Sequence, residues 1–144
     1  MRALAFAAML AVFAMGTAAR AAEKPHITLY KTATCGCCKV YAAHMKALSY
    51  PMTVIDSPDL PAVKRRLGVE PRLESCHTMT VGKYVIEGHV PEASVARLLL
   101  EKPSIKGIAL PGMPLGTPGM AGPKEAPYVV EVIGTKKPTV FAIE

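Results

Sequence analysis

The order of segments along the chain predicts an α/β protein with a central mixed sheet and helices on its faces. Strand-like and helix-like segments alternate over the first half of the chain, a hairpin follows, and another helix comes after the hairpin. Such a series buries its apolar sides when helices cover both faces of one sheet. Right-handed crossovers then restrict how the first two strands are connected. The chain of 144 residues is long enough for one domain of this kind.

Apolar periodicity and turn residues predict the individual elements up to residue 101. In chain order we expect a strand over 26–31, a helix over 39–48, a strand over 52–56, a helix over 60–67, hairpin arms at 78–81 and 84–87, and a helix over 91–101. Gly82 and Lys83 form the hairpin turn. Gly68 marks the end of the second helix.

Residues 103–127 are rich in proline and glycine and have no periodicity, which predicts a long irregular loop. Loops of this length inside a compact domain are usually functional or disordered. The loop carries a short repeat, Pro-Gly-Met, which ends at Met113 and again at Met120. After the loop, residues 128–133 and 139–143 predict a closing β-hairpin.

The first residues have the layout of a secretory signal peptide. Arg2 precedes an apolar run over 3–15, and the segment ends in small residues around Ala21. The apolar run is shorter than the roughly 20 residues that span a bilayer, so a membrane anchor is disfavoured. We therefore expect residues 1–21 to be a signal peptide cut after Ala21. Residues 22–144 would be an exported domain that is not held in a membrane.

The charge and aromatic content argue against a nucleic-acid partner. The net charge is +6, of which two charges belong to Arg2 and Arg20, and Trp is absent. Lys64, Arg65 and Arg66 are the one tight basic cluster, and we interpret them as a solvated helix face. Nothing in this pattern predicts a base-stacking surface.

The cysteines carry the strongest functional signal. Three of the four lie at Cys35, Cys37 and Cys38, and the fourth is Cys76. An exported protein meets oxidising conditions, so structural disulfides are the default interpretation. A disulfide framework usually spreads its cysteines along the chain, whereas these are concentrated. The pattern therefore favours a reactive or metal-binding centre.

Cys35 and Cys38 form a CxxC pair at the first strand-to-helix turn. If Thr34 caps the helix, both thiols lie on one side of its first turn, where the helix dipole favours thiolate. Both thiol exchange and soft-metal binding use thiolates. Cys37 favours the metal, because a third thiol invites scrambled disulfides, whereas a polynuclear Cu(I) cluster uses bridging thiolates. Residues two apart do not face each other on a regular helix, so we expect an irregular first turn or a supporting role for Cys37.

Further candidate ligands lie downstream of the CxxC pair. Cys76 would supply the fourth sulfur ligand. The alternative interpretation is that Cys76 is a small buried hydrophobic residue. In a strand, His77 would point away from Cys76, as a residue that supports the ligands or lies at the surface. His89 would either reach a site at the sheet edge or lie exposed in a turn. Met113 and Met120 lie in the irregular loop, where a thioether either binds Cu(I) or fills the loop.

Four motifs together resemble a known family. They are CGCC at 35–38, SCHT at 75–78, EGHVP at 87–91 and PGMP at 111–114. The element order with a CxxC at the first turn resembles thioredoxin and glutaredoxin. In that alignment Cys76 or His77 takes the place of the cis-proline that faces the CxxC. The motifs resemble periplasmic CopG-type copper-resistance proteins over residues 26–143, a family long described as a domain of unknown function.

The resemblance implies a thioredoxin-like fold that holds several Cu(I) ions in a cysteine-bridged cluster. It implies thiolate ligands from Cys35, Cys37, Cys38 and Cys76, completed by a choice among His77, His89, Met113 and Met120. It also implies a role in copper resistance, with copper ions as cargo and other periplasmic copper-handling or redox proteins as partners. Whether the protein turns over as a Cu(II)/Cu(I) oxidoreductase stays open, and the alternative is a thiol-disulfide oxidoreductase using Cys35 and Cys38.

Overall fold

One mixed sheet of seven strands organises residues 23–144, the part of the chain that the computed structural model describes. The strands are β1 (Ile27–Lys31), β2 (Met52–Asp56), β3 (Thr78–Val81), β4 (Tyr84–Glu87), β5 (Gly107–Ala109), β6 (Val129–Ile133) and β7 (Val140–Ile143). The helices are α1 (Gly36–Ala47), α2 (Leu60–Leu67) and α3 (Glu92–Glu101), with a short 3₁₀ helix at Pro71–Leu73. The predicted signal peptide lies outside the described residues. No helix within residues 23–144 combines the length and the apolar character needed to cross a bilayer.

The predicted α/β architecture is confirmed. The strands lie in the order β2-β1-β3-β4-β5-β6-β7. Two neighbouring pairs, β1 with β2 and β4 with β5, are parallel, and the other pairs are antiparallel. The helix α2 begins where expected because the Asp59 carboxylate accepts a hydrogen bond from the backbone N–H of Ala62 at 2.9 Å. By contrast, α1 begins at Gly36, ahead of the predicted residue 39, with Cys35 as its N-cap.

The loop predicted over 103–127 is not irregular throughout. It contains β5, which pairs in parallel with β4 and antiparallel with β6, and so joins the C-terminal hairpin to the sheet. Three buried residues are too few to show a strand period in the sequence. Gly107 is required because a Cβ there would lie 1.8 Å from the backbone oxygen of Val85.

Two apolar clusters lie on opposite faces of the sheet. Successive β4 residues alternate between them, since Tyr84 and Ile86 belong to the larger cluster and Val85 to the smaller. The larger cluster includes the apolar residues of α1 and α3, among them Tyr41 and Leu98. The smaller one includes the residues that follow α2. The helices therefore cover both faces, with α1 and α3 on one side and α2 on the other.

The strand directions bring several connecting segments to one end of the sheet. Because β1 and β3 are antiparallel, with Tyr30 opposite Thr78, the turn after β1 lies beside the segment that precedes β3. In the next pair Thr78 is opposite Glu87, so the chain leaving β4 emerges at the same end. The strand β5 runs parallel to β4 and delivers the Pro/Gly-rich loop there as well.

Candidate metal centre

The N-terminus of α1 presents three cysteines to this end of the sheet. Cys35 is the N-cap with extended backbone (φ −68°, ψ 100°), and its Sγ accepts a hydrogen bond from the backbone N–H of Cys38 at 3.3 Å. A residue outside the helix does not follow helical side-chain spacing. The Cys35 and Cys37 sulfurs consequently lie 3.5 Å apart although α1 is regular from Gly36 onward. The predictions of a Thr34 cap and of an irregular first turn are therefore wrong, and the one-residue shift of the cap accounts for both.

The fourth sulfur completes the cluster. Cys76 lies in a bend two residues before β3, and its Sγ is 3.4 Å from that of Cys35, 3.2 Å from that of Cys37 and 3.1 Å from that of Cys38. Cys35 and Cys38 form a disulfide, whereas Cys37 and Cys76 are free. Cys76 is half-buried with its sulfur against the other three, so it is not a hydrophobic filler of the core.

Burial affects the ionisation of Cys76. It raises the pKa of the Cys76 thiol to about 12, and the contact with the Cys37 thiol acts in the same direction. In the metal-free protein Cys76 therefore keeps its proton at neutral pH. A soft metal ion that binds this sulfur must displace that proton.

His89 is buried beside the sulfurs, so the prediction of an exposed turn residue is excluded. Its Nδ1 lies 2.7 Å from the carbonyl oxygen of Pro118, and because a carbonyl only accepts, Nδ1 carries the proton. The Nε2 atom, which lies 3.4 Å from the Cys76 sulfur, is then left with a free lone pair. Burial lowers the pKa of His89, although the bond to Pro118 opposes the shift. The neutral ring is the form that binds a metal.

His77 is also fully buried, which excludes a surface position. Neither ring nitrogen has a hydrogen-bond partner among residues 23–144. The ring packs 4.6 Å from that of Tyr41 and 4.7 Å from that of His89, measured between centroids. Burial, His89 and Lys64 together hold the pKa of His77 well below its usual value. Because Cys76 lies in a bend and not in a strand, His77 does not point away from it. The donor atoms of Cys76, His77 and His89 all lie within 4.8 Å of one another.

A buried ion pair holds the bend that carries Cys76. The Glu87 carboxylate accepts hydrogen bonds from the backbone N–H of Ser75 and from the Thr78 hydroxyl, both at 2.6 Å. Lys64 pairs with the same carboxylate and lies 3.1 Å from the Thr78 oxygen. Burial raises the pKa of Glu87, and the Lys64 ammonium opposes this shift.

Sequence reasoning misassigned Lys64 and missed Glu87. Lys64 is buried, so the prediction of a solvated basic cluster holds for its neighbours Arg65 and Arg66 and not for Lys64 itself. The two partners are far apart in sequence, and no local pattern links them. Tyr41 was also missed as part of the site. Its hydroxyl donates to the backbone oxygen of Val90 at 2.8 Å, and its ring supports both histidines.

The Pro/Gly-rich loop closes over the cysteines. Ser75 forms a parallel bridge with Gly112, and its hydroxyl donates to the Gly112 carbonyl. Gly119 lies against the start of α1 with φ +88°, where a Cβ would be 2.6 Å from the Cys37 carbonyl oxygen. Met113 and Met120 each follow one of these glycines. Met113 is 53% exposed and Met120 is half-buried. Metal contact by either thioether stays a prediction.

The donor set determines what the arrangement can bind. The four sulfurs form one group whose members lie within 4.8 Å of each other, and the two histidines extend it through Cys76. Thiolate and imidazole are soft to intermediate ligands and do not select hard cations such as Mg²⁺ or Ca²⁺. Fold and site together define a mixed α/β protein with a sulfur-rich candidate centre for a soft metal.

Comparison with known proteins agrees with this class. Residues 73–120 match the family described as protein of unknown function, DUF411. Two solved structures, titled copper resistance protein copG form 2 and form 1, are each 36% identical to this chain and cover 85% of it. The chain covers 99% and 98% of them, with TM-scores of 0.77 and 0.76. No curated protein is significantly similar to the chain.

A sequence identity of 36% over nearly the whole length of both related structures is sufficient to assign the family. The chain belongs to the family of the copper resistance protein CopG. The resemblance found in the sequence motifs is thereby confirmed.

Replacing Lys64 by Met should destabilise the protein, because it leaves the fully buried Glu87 carboxylate without its cation. Breaking a buried pair in this way typically costs about 3–5 kcal/mol, and urea unfolding measures it. Arg65→Met is the matched control on the same helix, and this exposed site should change stability by less than about 0.5 kcal/mol. Equal losses in the two variants would contradict the assigned role of the pair.

Proposed function

We propose that the protein holds Cu(I) in a cysteine-bridged multinuclear cluster and acts in copper resistance or homeostasis. The observation that carries the proposal is the contact of the Cys76 sulfur with all three sulfurs at the start of α1, at 3.1–3.4 Å. Once the Cys35–Cys38 disulfide is reduced, four thiolates in this arrangement can each bridge more than one metal ion. Thiolates select Cu(I) over harder cations. The names of the two related structures support copper as the metal.

The ligand set in this proposal extends beyond the cysteines. His89 offers a neutral Nε2 directed at Cys76, held by the bond from Nδ1 to Pro118. Histidine ligands are commonly oriented through their other nitrogen in this way. His77 is the next candidate because its buried nitrogens lack partners among the described residues. Met113 and Met120 would complete the set from the loop that covers the site.

A second candidate function is thiol-disulfide exchange by Cys35 and Cys38. The disulfide between them favours it. Against it, the free Cys37 and Cys76 thiols lie in contact with that disulfide and would compete with any substrate thiol. Catalysed reduction of a disulfide substrate by the metal-free protein, retained in Cys37→Ser, would favour this function over copper binding.

The place of action in our proposal is the periplasm, with residues 22–144 as one copper-binding domain. Copper ions are its cargo, and other periplasmic copper-handling or redox proteins are its expected partners. Neither a nucleic acid nor a membrane is part of the proposal.

Anaerobic titration of the reduced protein with Cu(I) should reach more than one copper per chain. Cys37→Ser should lower that number, because it removes one of the four sulfurs of the group. Ala33→Ser is the matched control, since it places the same side chain at an exposed position of the same turn. One copper or fewer in the wild-type protein, unaltered by Cys37→Ser, would rule out a cluster.

His89→Asn should weaken Cu(I) binding by at least about tenfold, because replacing a residue that binds or surrounds a metal ion usually lowers the metal affinity by that factor. Competition with a chromophoric Cu(I) chelator measures the change. His44→Asn, an exposed histidine on α1, is the control and should bind as the wild type does. Identical affinities for His89→Asn and wild type would remove His89 from the ligand set.

Expression of the full chain in a Gram-negative host tests the proposed export. N-terminal sequencing of the protein from the periplasmic fraction should start at Ala22, because Ala19 and Ala21 satisfy the small-x-small rule for cleavage. Ala21→Leu should slow cleavage and leave the longer form. Full-length protein confined to the cytoplasmic fraction would contradict the proposed location.

A further inference from the structure

The two edge strands of the sheet differ in how their backbone groups are covered. In β7, the register with β6 shifts between Val130 and Glu131, which leaves Phe141 as a bulge. Arg97 of α3 donates a hydrogen bond to the Phe141 carbonyl at 3.1 Å and lies over the Phe141 ring. A bulge and a covering charged side chain are both means by which an edge strand is kept from pairing with another chain.

The opposite edge strand, β2, has neither kind of protection. Its register with β1 is continuous over all five residues of Met52–Asp56, and this segment contains no proline or lysine. Among residues 23–144, β1 is its one neighbour in the sheet. Val54 and Ile55 are 36% and 38% exposed. The strand β2 is therefore an open edge that can accept a further strand.

The hydrogen bonds to β1 show which backbone groups of β2 point outward. The Pro51 carbonyl accepts a hydrogen bond from the backbone N–H of Ile27 at 2.8 Å. The Ser57 N–H donates to the Lys31 carbonyl at 2.7 Å. Because backbone groups alternate in direction along a strand, the odd-numbered residues between these two bonds also face β1. The even-numbered residues direct both N–H and C=O away from the sheet, and they are Met52, Val54 and Asp56.

This row of free backbone groups is limited at both ends. Before it, the N–H of Tyr50 donates to the Met45 carbonyl at 3.1 Å and is not free. After it, the next residue in the outward direction is Pro58, which has no N–H. A strand that pairs here therefore meets a short row of free groups that is centred on Val54.

We propose that β2 pairs in an antiparallel direction with β2 of a second copy of this chain, about a two-fold axis at Val54. In antiparallel pairs, opposite residues that direct their backbone groups at each other exchange both hydrogen bonds. Val54 then bonds Val54 of the second copy, and Met52 of each copy bonds Asp56 of the other. Every free group of the row is satisfied, whereas a register shifted by two residues would leave some of them unpaired.

The side chains of β2 are compatible with this register. Val54 faces its own counterpart across the axis, and Ile55 lies opposite Thr53 of the second copy. These β-branched side chains pack well against one another in neighbouring strands. Asp56 lies opposite Met52 and not opposite its own counterpart, and it is paired with Lys31 within its own chain. No two like charges are therefore brought together by the pairing.

The pairing keeps the two candidate metal centres apart. The strands β1 and β2 are parallel, and both end on the side of the sheet that carries the cysteines. Because the two β2 strands run in opposite directions, the second copy has its cysteines at the other end of the joined sheet. The interface neither adds nor removes a metal ligand, so the inference goes beyond the proposed function and does not rest on it.

Sedimentation equilibrium of the metal-free protein tests the association, with a reductant present so that intermolecular disulfides do not contribute. One pair of five-residue strands gives an interface smaller than the roughly 1,200 Å² of stable complexes, so we expect a weak dimer. The average mass should rise from one chain towards two between about 10 μM and about 1 mM protein. The mass of one chain at every concentration would overturn the inference.

Substitutions at Val54 test the register. Val54→Lys and Val54→Asp should each raise the dissociation constant at least about tenfold, because like charges then meet across the axis. An equimolar mixture of the two variants should associate at least as tightly as the wild type, since opposite charges then face each other. Val140→Lys, at a 53% exposed position of β7, is the matched control and should associate as the wild type does.

Val54→Pro tests the backbone pairing. It removes an outward N–H, which proline on an edge strand does not need, so the variant should fold but not associate. Circular dichroism checks that each variant is folded. Association of folded Val54→Pro or of Val54→Lys equal to that of the wild type would overturn the inference. A mixture of Val54→Lys and Val54→Asp that stays monomeric, while the wild type dimerises, would also overturn it.

Discussion

The antiparallel pairing of β1 with β3 is the constraint on which the site depends. Tyr30 lies opposite Thr78, so the chain that leaves β1 for α1 passes beside the chain that enters β3. This pairing places Cys76 against the three cysteines at the start of α1, 38 to 41 positions away in sequence. Without it, the residues 35–38 would form an ordinary helix start with one spare thiol. The neighbouring pairing of β3 with β4 adds His89 at the same end of the sheet.

The buried polar groups around the sulfurs are of two kinds: some have hydrogen-bond partners within the protein, and others have none among the described residues. Glu87 is buried and accepts bonds from Lys64, Thr78 and the backbone of Ser75, so it holds the bend in place. His77 is equally buried but has no partner among the described residues. Buried polar groups are nearly always satisfied, so the unpartnered imidazole beside Cys76 supports our proposal that His77 helps to bind the metal. The hydrogen bonds of Glu87 thus hold in place the segment that carries Cys76 and His77, the residues to which we assign metal binding.

The cap of α1 shows how one residue changes the chemistry. With Cys35 as the N-cap, its backbone is extended and its sulfur turns toward Cys37 instead of following the helix. The same position lets the sulfur satisfy the backbone N–H of Cys38, a role usually taken by a hydroxyl or carboxylate. A single side chain therefore caps the helix, closes a disulfide and contacts the other two thiols.

The sequence alone predicts the local elements well, since β2, α2 and both arms of the β3–β4 hairpin have their predicted bounds. Apolar periodicity and turn residues act over a few positions, and so do the cysteine spacings that indicate the metal chemistry. The short strand β5 escapes prediction because its three residues are too few for a period and its pairing is with distant strands. Burial of Lys64, His77 and His89 likewise depends on contacts between segments far apart along the chain. Such contacts exist only once the sheet has assembled, so the convergence of Cys76 on residues 35–38 is a property of the folded protein.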